Sequence, residues 1–200
     1  MAAPDLRLIV ITDAALAAPR AVDETVLAAL EAGAPAIQLR NKDATPAELY
    51  QEALEVGDLT RRFGALLFVN DRLDVALAAH ADGVHLGPRD LPVDVARKAV
   101  RNAGRADFLI GASTDQPATA RRLARQGADY IGCGAVFGTT SKPGLEEERI
   151  GPEGLARVVE SVSVPVVGIG GITPSNVAAV AAAGAAGSAA IGAVMGAAEV

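Results

Sequence analysis

The sequence predicts an α/β fold, a (β/α)8 TIM barrel that forms a single compact domain over residues 1–200. Eight short apolar runs are separated by helix-like segments such as 21–33 and 45–64. The runs read LRLIVIT, AIQLR, LLFVN, GVHLG, FLIGAS, YIGCGAVF, VPVVGIG and GSAAIG. Apolar strands that alternate with helices are typical of parallel βαβ units.

A recurring phrase supports closure of the sheet. EAGAPAIQL, AAHADGVHL, RQGADYIGC and AAGAAGSAA each look like a helix end, a glycine turn and the next strand. This repeat favours a closed barrel over an open doubly wound sheet. An open sheet would have fewer strands and a GxGxxG motif after the first strand, which is absent here.

Composition limits the classes of partner. The formal net charge is -6, which argues against nucleic acid and anionic membranes. A single cysteine, Cys133, excludes an intramolecular disulfide, and no run has transmembrane length or the form of a signal peptide. We therefore expect a cytoplasmic protein, with a homo-oligomer left open. The net charge is compatible with a local basic pocket for small phosphorylated molecules.

Polar residues follow the predicted strands, where a barrel of this type builds its active site. Arg40 and Lys42 project from the same side of an extended segment after the second strand, and Lys142 follows the sixth. Such cations suit a polyanion with phosphate oxygens, although a charged turn in solvent is the alternative for RNK alone. Their coincidence with polar residues at other strand ends favours a site.

Two carboxylates, Asp71 and Asp90, end the neighbouring third and fourth strands. Adjacent strands lie about 4.8 Å apart, so both carboxylates can hold one cation. Mg²⁺ is usually bound by one or two carboxylates together with substrate phosphates, so Mg²⁺ is the predicted cofactor. The alternative is that each aspartate caps the helix that follows it.

Two further segments are compatible with phosphate binding. TTSK at 139–142 offers hydroxyls and a lysine, and the turn containing Gly170 and Gly171 lets backbone amides approach an anion. Tight packing of a short turn is the alternative for the glycines. His85 and Cys133 fall within strands and are interpreted as structural residues.

Together these motifs resemble the thiamine phosphate synthase family. The resemblance rests on QLRNK, NDRLDVALAAHADGVHLGPRD, GAS, GADYIGCGAVFGTTSK and VPVVGIGGITPSNV, in this order, and spans nearly the whole chain. That family joins a hydroxymethylpyrimidine diphosphate to a thiazole phosphate, or to its carboxylated form, with release of pyrophosphate. The resemblance implies a transferase of thiamine biosynthesis that uses Mg²⁺.

The resemblance also implies roles for individual residues. Asp71 and Asp90 would bind Mg²⁺, and the catalytic residues would be Arg40, Lys42, Ser113 and Lys142. The pyrimidine diphosphate would contact Gln38, Leu39, Arg40, Asn41, Lys42, Asn70, Ser113 and Lys142. The thiazole phosphate would contact Thr139, Thr140, Ser141, Gly171, Ile191 and Gly192.

Some positions depart from the family pattern. Asp115 stands where members commonly have histidine, Pro88 where glutamine is usual, Asn41 where glutamate is usual, and Gly192 where serine is frequent. An additional acid near a diphosphate is unfavourable unless Asp115 points away or assists the metal. A phosphate contact at Gly192 would depend on its backbone N–H.

Three other functions are compatible with a phosphate-binding barrel. A thiazole tautomerase would need a histidine where this chain has Ala135, and a non-catalytic barrel would bind ligand without turnover. A phosphoribosylanthranilate isomerase would need an acid/base pair such as Asp13 and Cys133. The last of these leaves the cations of QLRNK without a role.

Overall fold

A computed structural model describes residues 4–138 and 149–198. Its eight strands form a closed barrel in the order of the chain, and every neighbouring pair is parallel, including β8 with β1. Helices alternate with the strands around this barrel. The predicted (β/α)8 architecture is therefore confirmed.

The bounds agree with the predicted alternation. The strands are β1 Leu8–Ile11, β2 Ala36–Leu39, β3 Leu66–Asn70, β4 Gly83–Leu86, β5 Leu109–Ser113, β6 Tyr130–Cys133, β7 Val166–Ile169 and β8 Gly187–Ala190. The helices are α1 Ala14–Ala17, α2 Val22–Glu31, α3 Pro46–Phe63, α4 Leu73–Ala78, α5 Val93–Asn102, α6 Pro117–Gln126, α7 Gly151–Val159, α8 Val177–Ala182 and α9 Gly192–Met195.

Local sequence explains the ends of the longest helix, α3. Thr45 accepts a hydrogen bond from the Glu48 amide, and the Glu48 carboxylate accepts one from the Thr45 amide at 2.8 Å. This reciprocal pair satisfies two amides that the first turn leaves without helical partners. Gly64 ends the helix in the left-handed conformation, φ 66°, which glycine adopts without steric cost.

The apolar core has two layers because successive strand residues point to opposite faces of the barrel. One layer lies between the strands and the helices, where Ile37, Val69 and Ile131 are fully buried. The other fills the inside of the barrel with residues that include Ile9 and Val167. This inner layer forms the floor beneath the mouth of the barrel.

Aromatic rings inside the barrel need space on neighbouring strands. The ring of Phe68 faces Gly83, and a Cβ on that glycine would lie 2.7 Å from the ring. The ring of Tyr130 faces Gly111, where a Cβ would lie 2.2 Å from the ring carbon Cζ. Any side chain at either glycine would collide with the ring, so both positions require glycine.

No helix among the described residues combines the length and the apolar character that a membrane crossing needs.

Candidate functional site

A cavity of about 270 Å³ opens at the mouth of the barrel that the carboxyl ends of the strands form. Its lining contains seven of the polar residues that the sequence predicts for the site. They are Gln38, Arg40, Lys42, Asn70, Asp71, Asp90 and Ser113. The structure therefore brings together polar residues from four neighbouring strands and the loops that follow them.

An amide pair spans the first part of this lining. Gln38 is the residue before the last of β2 and is buried, and Asn70 is the last residue of β3. The Gln38 Nε2 group donates a hydrogen bond of 2.9 Å to Oδ1 of Asn70. Because this bond uses the Asn70 oxygen, it orients the remaining N–H of Asn70 away from Gln38.

Arg40 is held from two sides. Its amide donates to Oγ1 of Thr12 at 2.8 Å, which fixes the backbone after β2 to the end of β1. Its Nη1 lies 3.0 Å from the Asp13 carboxylate, and both side chains are only 15% exposed. Its Nε is buried with no hydrogen-bond partner among the described residues. An unpaired buried donor is costly, so this edge of the guanidinium is ready to bind an acceptor.

Asp71 is placed by an unusual backbone. Its φ is 65°, the left-handed region that aspartate tolerates better than most residues. Its amide donates a hydrogen bond of 2.8 Å to the carbonyl of His85, which continues the pairing of β3 with β4. This bond turns the side chain toward the mouth, where its carboxylate lies 3.5 Å from Nζ of Lys42.

Asp90 completes a carboxylate pair. It closes a tight turn in which its Oδ2 accepts a hydrogen bond of 2.6 Å from the Gly87 amide. Burial, and then the neighbouring Asp90 carboxylate, raise the pKa of Asp71 above its ordinary value, and Lys42 acts in the opposite direction. Two carboxyl groups that repel each other in a half-buried site are a suitable pair of oxygen ligands for a divalent cation.

Helix capping does not explain either aspartate. The residue at the N-cap of α4 is Arg72 and that of α5 is Pro92, and neither helix has a side-chain cap hydrogen bond. Among residues 4–138 and 149–198, no cluster of three or more His, Cys, Asp or Glu side chains could hold a metal ion. Any cation here would therefore need oxygen ligands beyond the two carboxylates.

A second polar chain lies deeper in the cavity, and sequence reasoning missed two of its three members. The Tyr130 hydroxyl lies 2.9 Å from Nδ1 of His85, and Nε2 of His85 lies 2.7 Å from Oγ of Ser113. All three residues line the cavity. The alternation of side chains along β4 could have predicted the position of His85. It places His85 on the same face as Gly83, inside the barrel.

Two predicted contact residues have side chains turned to other partners. Leu39 is buried in the layer between strands and helices, so only its backbone faces the mouth. Asn41 donates to Glu52 at 2.8 Å and accepts from the amides of Asp43 and Ala44. Asn41 therefore holds the loop between β2 and α3.

The predicted thiazole phosphate residues are described only in part. Thr139, Thr140, Ser141 and Lys142 lie outside the described residues. Ile191 lines the cavity, while Gly171 and Gly192 are exposed just after β7 and β8. Gly171 has φ 63°, and its amide donates to no other group within the described part of the chain.

The structure also shows the surroundings of three residues at positions that the alternative functions would use. Cys133 faces the outer layer, and burial followed by the charge of Asp115 raises its pKa to about 12. Asp13 pairs with Arg40 and caps α1, so it and Cys133 do not form an acid/base pair in one cavity. Ala135, at the position where a tautomerase would need histidine, is buried and has no group that can transfer a proton.

Comparison with known proteins identifies the family of the chain. Residues 8–194 match the sequence model of the thiamine monophosphate synthase family. The chain belongs to the thiamine monophosphate synthase family. The prediction made from its motifs is therefore confirmed at the level of the family.

Individual relatives agree with this membership. A thiamine-phosphate synthase of Pyrococcus abyssi is 48% identical over 98% of this chain and 89% of its own length. One of Chloroflexus aurantiacus is 45% identical over 98% of this chain and 88% of its own length. The solved thiamine phosphate pyrophosphorylase of Pyrococcus furiosus superposes with a TM-score of 0.88 at 45% identity, covering 98% of this chain and 91% of its own.

Proposed function

We propose that this chain catalyses the reaction of the thiamine monophosphate synthase family. It joins a hydroxymethylpyrimidine diphosphate to a thiazole phosphate, or to the carboxylated thiazole phosphate, and releases pyrophosphate. The observation that carries the proposal is the position of the Asp71–Asp90 pair beside Arg40 and Lys42 at one cavity mouth. The chain would be a cytoplasmic transferase whose partners are small phosphorylated molecules.

The cationic side of the mouth would bind the diphosphate. Arg40 offers a rigid set of donors, including the buried Nε that has no partner among the described residues. Lys42 is 52% exposed and its flexible chain can follow the substrate. Lys142, which lies between β6 and α7 in the sequence, is proposed to join them. These cations neutralise negative charge that grows on the leaving group as its bond to carbon breaks.

The carboxylate side of the mouth would hold Mg²⁺ through Asp71 and Asp90. The raised pKa of Asp71 fits this role, because a bound cation relieves the repulsion between the two carboxylates. The ion, when bound, supplies a Lewis acid for the diphosphate oxygens. The substrate phosphates would provide the further oxygen ligands that the described residues lack.

The reaction needs neither a covalent nucleophile nor a strong base. The bond between the exocyclic methylene carbon and the diphosphate oxygen breaks, and its electron pair leaves with pyrophosphate. The aminopyrimidine ring stabilises the resulting cation until the thiazole nitrogen attacks the same carbon. The protein must orient the two substrates and exclude water from the cation. The apolar floor that includes Ile9, Ile11 and Val167 suits this exclusion.

The remaining predicted contacts complete the proposal. Gln38, Asn70 and Ser113, with the backbone of Leu39 and Asn41, would bind the pyrimidine diphosphate. The thiazole phosphate would be bound by Thr139, Thr140, Ser141, Ile191 and the backbone of Gly171 and Gly192. The catalytic residues remain Arg40, Lys42, Ser113 and Lys142.

A pyrophosphate-release assay tests the proposal. The purified chain is mixed with both substrates, with and without Mg²⁺, beside an Asp71→Asn/Asp90→Asn variant and an Asp74→Asn control. Asp74 lies on α4 and pairs with Arg72 on the surface. We expect release that needs Mg²⁺ and both substrates, persists in the control, and falls on the order of 100-fold or more in the double variant.

Other outcomes favour the alternatives. Tight binding of either phosphorylated compound without release would indicate the non-catalytic barrel. Release that is unchanged in the double variant would remove the metal pair from the mechanism. Conversion of a thiazole tautomer alone would favour the tautomerase, which the buried Ala135 argues against.

A further inference from the structure

The polar chain inside the barrel links three strands. Tyr130 lies at the start of β6, His85 in β4 and Ser113 at the end of β5. Nδ1 of the imidazole lies 2.9 Å from the Tyr130 hydroxyl, and Nε2 lies 2.7 Å from Oγ of Ser113. Ser113 is one of the residues proposed to bind the pyrimidine diphosphate, and Tyr130 and His85 line the same cavity.

Glycines fix the geometry of this chain. A Cβ on Gly111 would lie 2.2 Å from the Tyr130 ring, and a Cβ on Gly132 would lie 2.8 Å from Cε1 of His85. Both rings therefore fill space that any larger residue at these positions would occupy. Such close packing holds the two hydrogen bonds in one arrangement.

The proton on Tyr130 decides how these bonds are directed. Burial, and then the charge of Asp129, raise the pKa of Tyr130, so the phenol keeps its proton at neutral pH. Among the described residues, the hydrogen-bond partner of this hydroxyl is Nδ1 of His85. A buried hydroxyl that donates to Nδ1 requires an imidazole with Nδ1 unprotonated and with its proton on Nε2. Nε2 then donates to Oγ of Ser113.

We propose that Tyr130 and His85 are positioning residues that fix Ser113 as a hydrogen-bond donor toward the substrate. Because Oγ of Ser113 accepts from His85, its own proton is free to turn into the cavity. There it donates to an oxygen of the diphosphate. This inference rests on the proposed function for the identity of the acceptor, but the direction of the internal bonds does not depend on it.

The opposite tautomer would reverse the role of the serine. With the proton on Nδ1, Ser113 would donate to Nε2 and would present only lone pairs to the cavity. Lone pairs repel an anion, and the repulsion grows as the leaving diphosphate gains charge. The tautomer therefore acts more on the transition state than on the bound ground state, and its loss lowers kcat more than it changes KM.

NMR of the free protein tests the tautomer directly. The chain has two histidines, His80 and His85, so ¹⁵N-histidine labelling gives two ring systems. His80 is exposed and serves as the internal reference. Long-range ¹H–¹⁵N correlations at neutral pH are expected to show His85 with Nδ1 unprotonated and Nε2 protonated. A proton on Nδ1, in either the neutral or the doubly protonated ring, overturns the proposal.

Kinetics test the consequence for Ser113. In Tyr130→Phe we expect kcat to fall about tenfold, a smaller loss than removal of a direct transition-state donor causes. KM for the thiazole phosphate should stay unchanged, and the His85 spectrum should show a mixture of tautomers. The matched control is Tyr50→Phe, since Tyr50 is the other tyrosine and lies on α3, where it packs against the layer between strands and helices. Equal kcat in the two variants overturns the proposal.

Two substitutions of His85 separate donation from packing. His85→Gln keeps an N–H for Ser113 and should retain more of kcat than His85→Leu, which has none. Equal loss in both variants would assign His85 a packing role and overturn the proposal. If the wild-type protein releases no pyrophosphate, the proposed function fails, whereas the NMR result still decides the direction of the hydrogen bonds.

Discussion

At the scale of single residues, Asp71 has two conflicting roles. Its backbone adopts φ 65° so that the carboxylate points into the mouth, where Asp90 and burial disfavour its charge. The free protein therefore carries a destabilising charge that a bound cation would relieve. Removal of that charge should affect stability and activity in opposite directions.

We predict that Asp71→Asn stabilises the metal-free protein at neutral pH while abolishing Mg²⁺-dependent release. When folding raises the pKa of a carboxyl group, the charge of that group destabilises the folded protein. The loss of stability develops as the pH rises from the unfolded-state pKa, about 3.8, toward the folded-state pKa. The gain should therefore be present at pH 7 and should vanish well below pH 3.8, where Asp71 is protonated in both states. Thermal unfolding in EDTA across this pH range measures it.

Asp74→Asn provides the control of opposite sign. A hydrogen bond from Arg72 lowers the pKa of Asp74, so loss of its charge should not stabilise the protein at pH 7. An equal gain from both substitutions would show that the net charge, and not the Asp71–Asp90 pair, is responsible.

Cys133 gives a second prediction at this scale. Burial raises the pKa of its thiol to about 12, so almost no thiolate exists at pH 8. We expect a disulfide-exchange reagent to leave the native protein unmodified over hours and to react with one thiol per chain in guanidinium. Rapid modification of the native protein would contradict the burial of this side chain.

At the scale of elements, the reciprocal cap of α3 should be measurable. Thr45→Ala removes the acceptor for the Glu48 amide and should lower the free energy of unfolding by about 1 kcal/mol. Urea denaturation measures the change. The control is Thr119→Ala, which lies inside α6 and should cost little or nothing. A similar loss in both variants would refute the role of the cap.

The packing between β5 and β6 depends on the absence of a side chain at Gly111. Gly111→Ala places a methyl group 2.2 Å from the Tyr130 ring and should lower the free energy of unfolding by about 1–3 kcal/mol. Gly192→Ala is the control, since a Cβ there meets no atom within 4 Å. Equal midpoints in chemical denaturation for the two variants would contradict the close packing inside the barrel.

At the scale of the whole molecule, the sequence was sufficient to predict the barrel and the mouth of the cavity. Strand and helix periods are local, so runs such as LLFVN and the phrase RQGADYIGC predict elements without tertiary information. Parallel strands bring their carboxyl ends to one rim, which is why Arg40, Lys42, Asp71 and Asp90 could be grouped in advance.

Contacts that depend on register could not be predicted in this way. Ser113 pairs with Gly132, and His85 pairs with Gly111, only because of the stagger between β4, β5 and β6. The ion pair of Asp13 with Arg40 likewise joins the ends of two strands through side-chain rotamers. No spacing within one segment encodes such distances, so His85 was interpreted as a structural residue and Tyr130 was overlooked.

The fit of each ring against a glycine has a consequence for redesign of this pocket. Shortening one ring leaves a void beside a glycine that has no side chain to fill it, so a single substitution opens space only with a loss of packing. To keep the packing, a smaller residue in place of the ring would have to be combined with a larger residue in place of the glycine. The couples whose rings line the cavity are Tyr130 with Gly111 and His85 with Gly132. Libraries that vary these couples jointly would therefore explore pocket shapes that single-site libraries cannot reach.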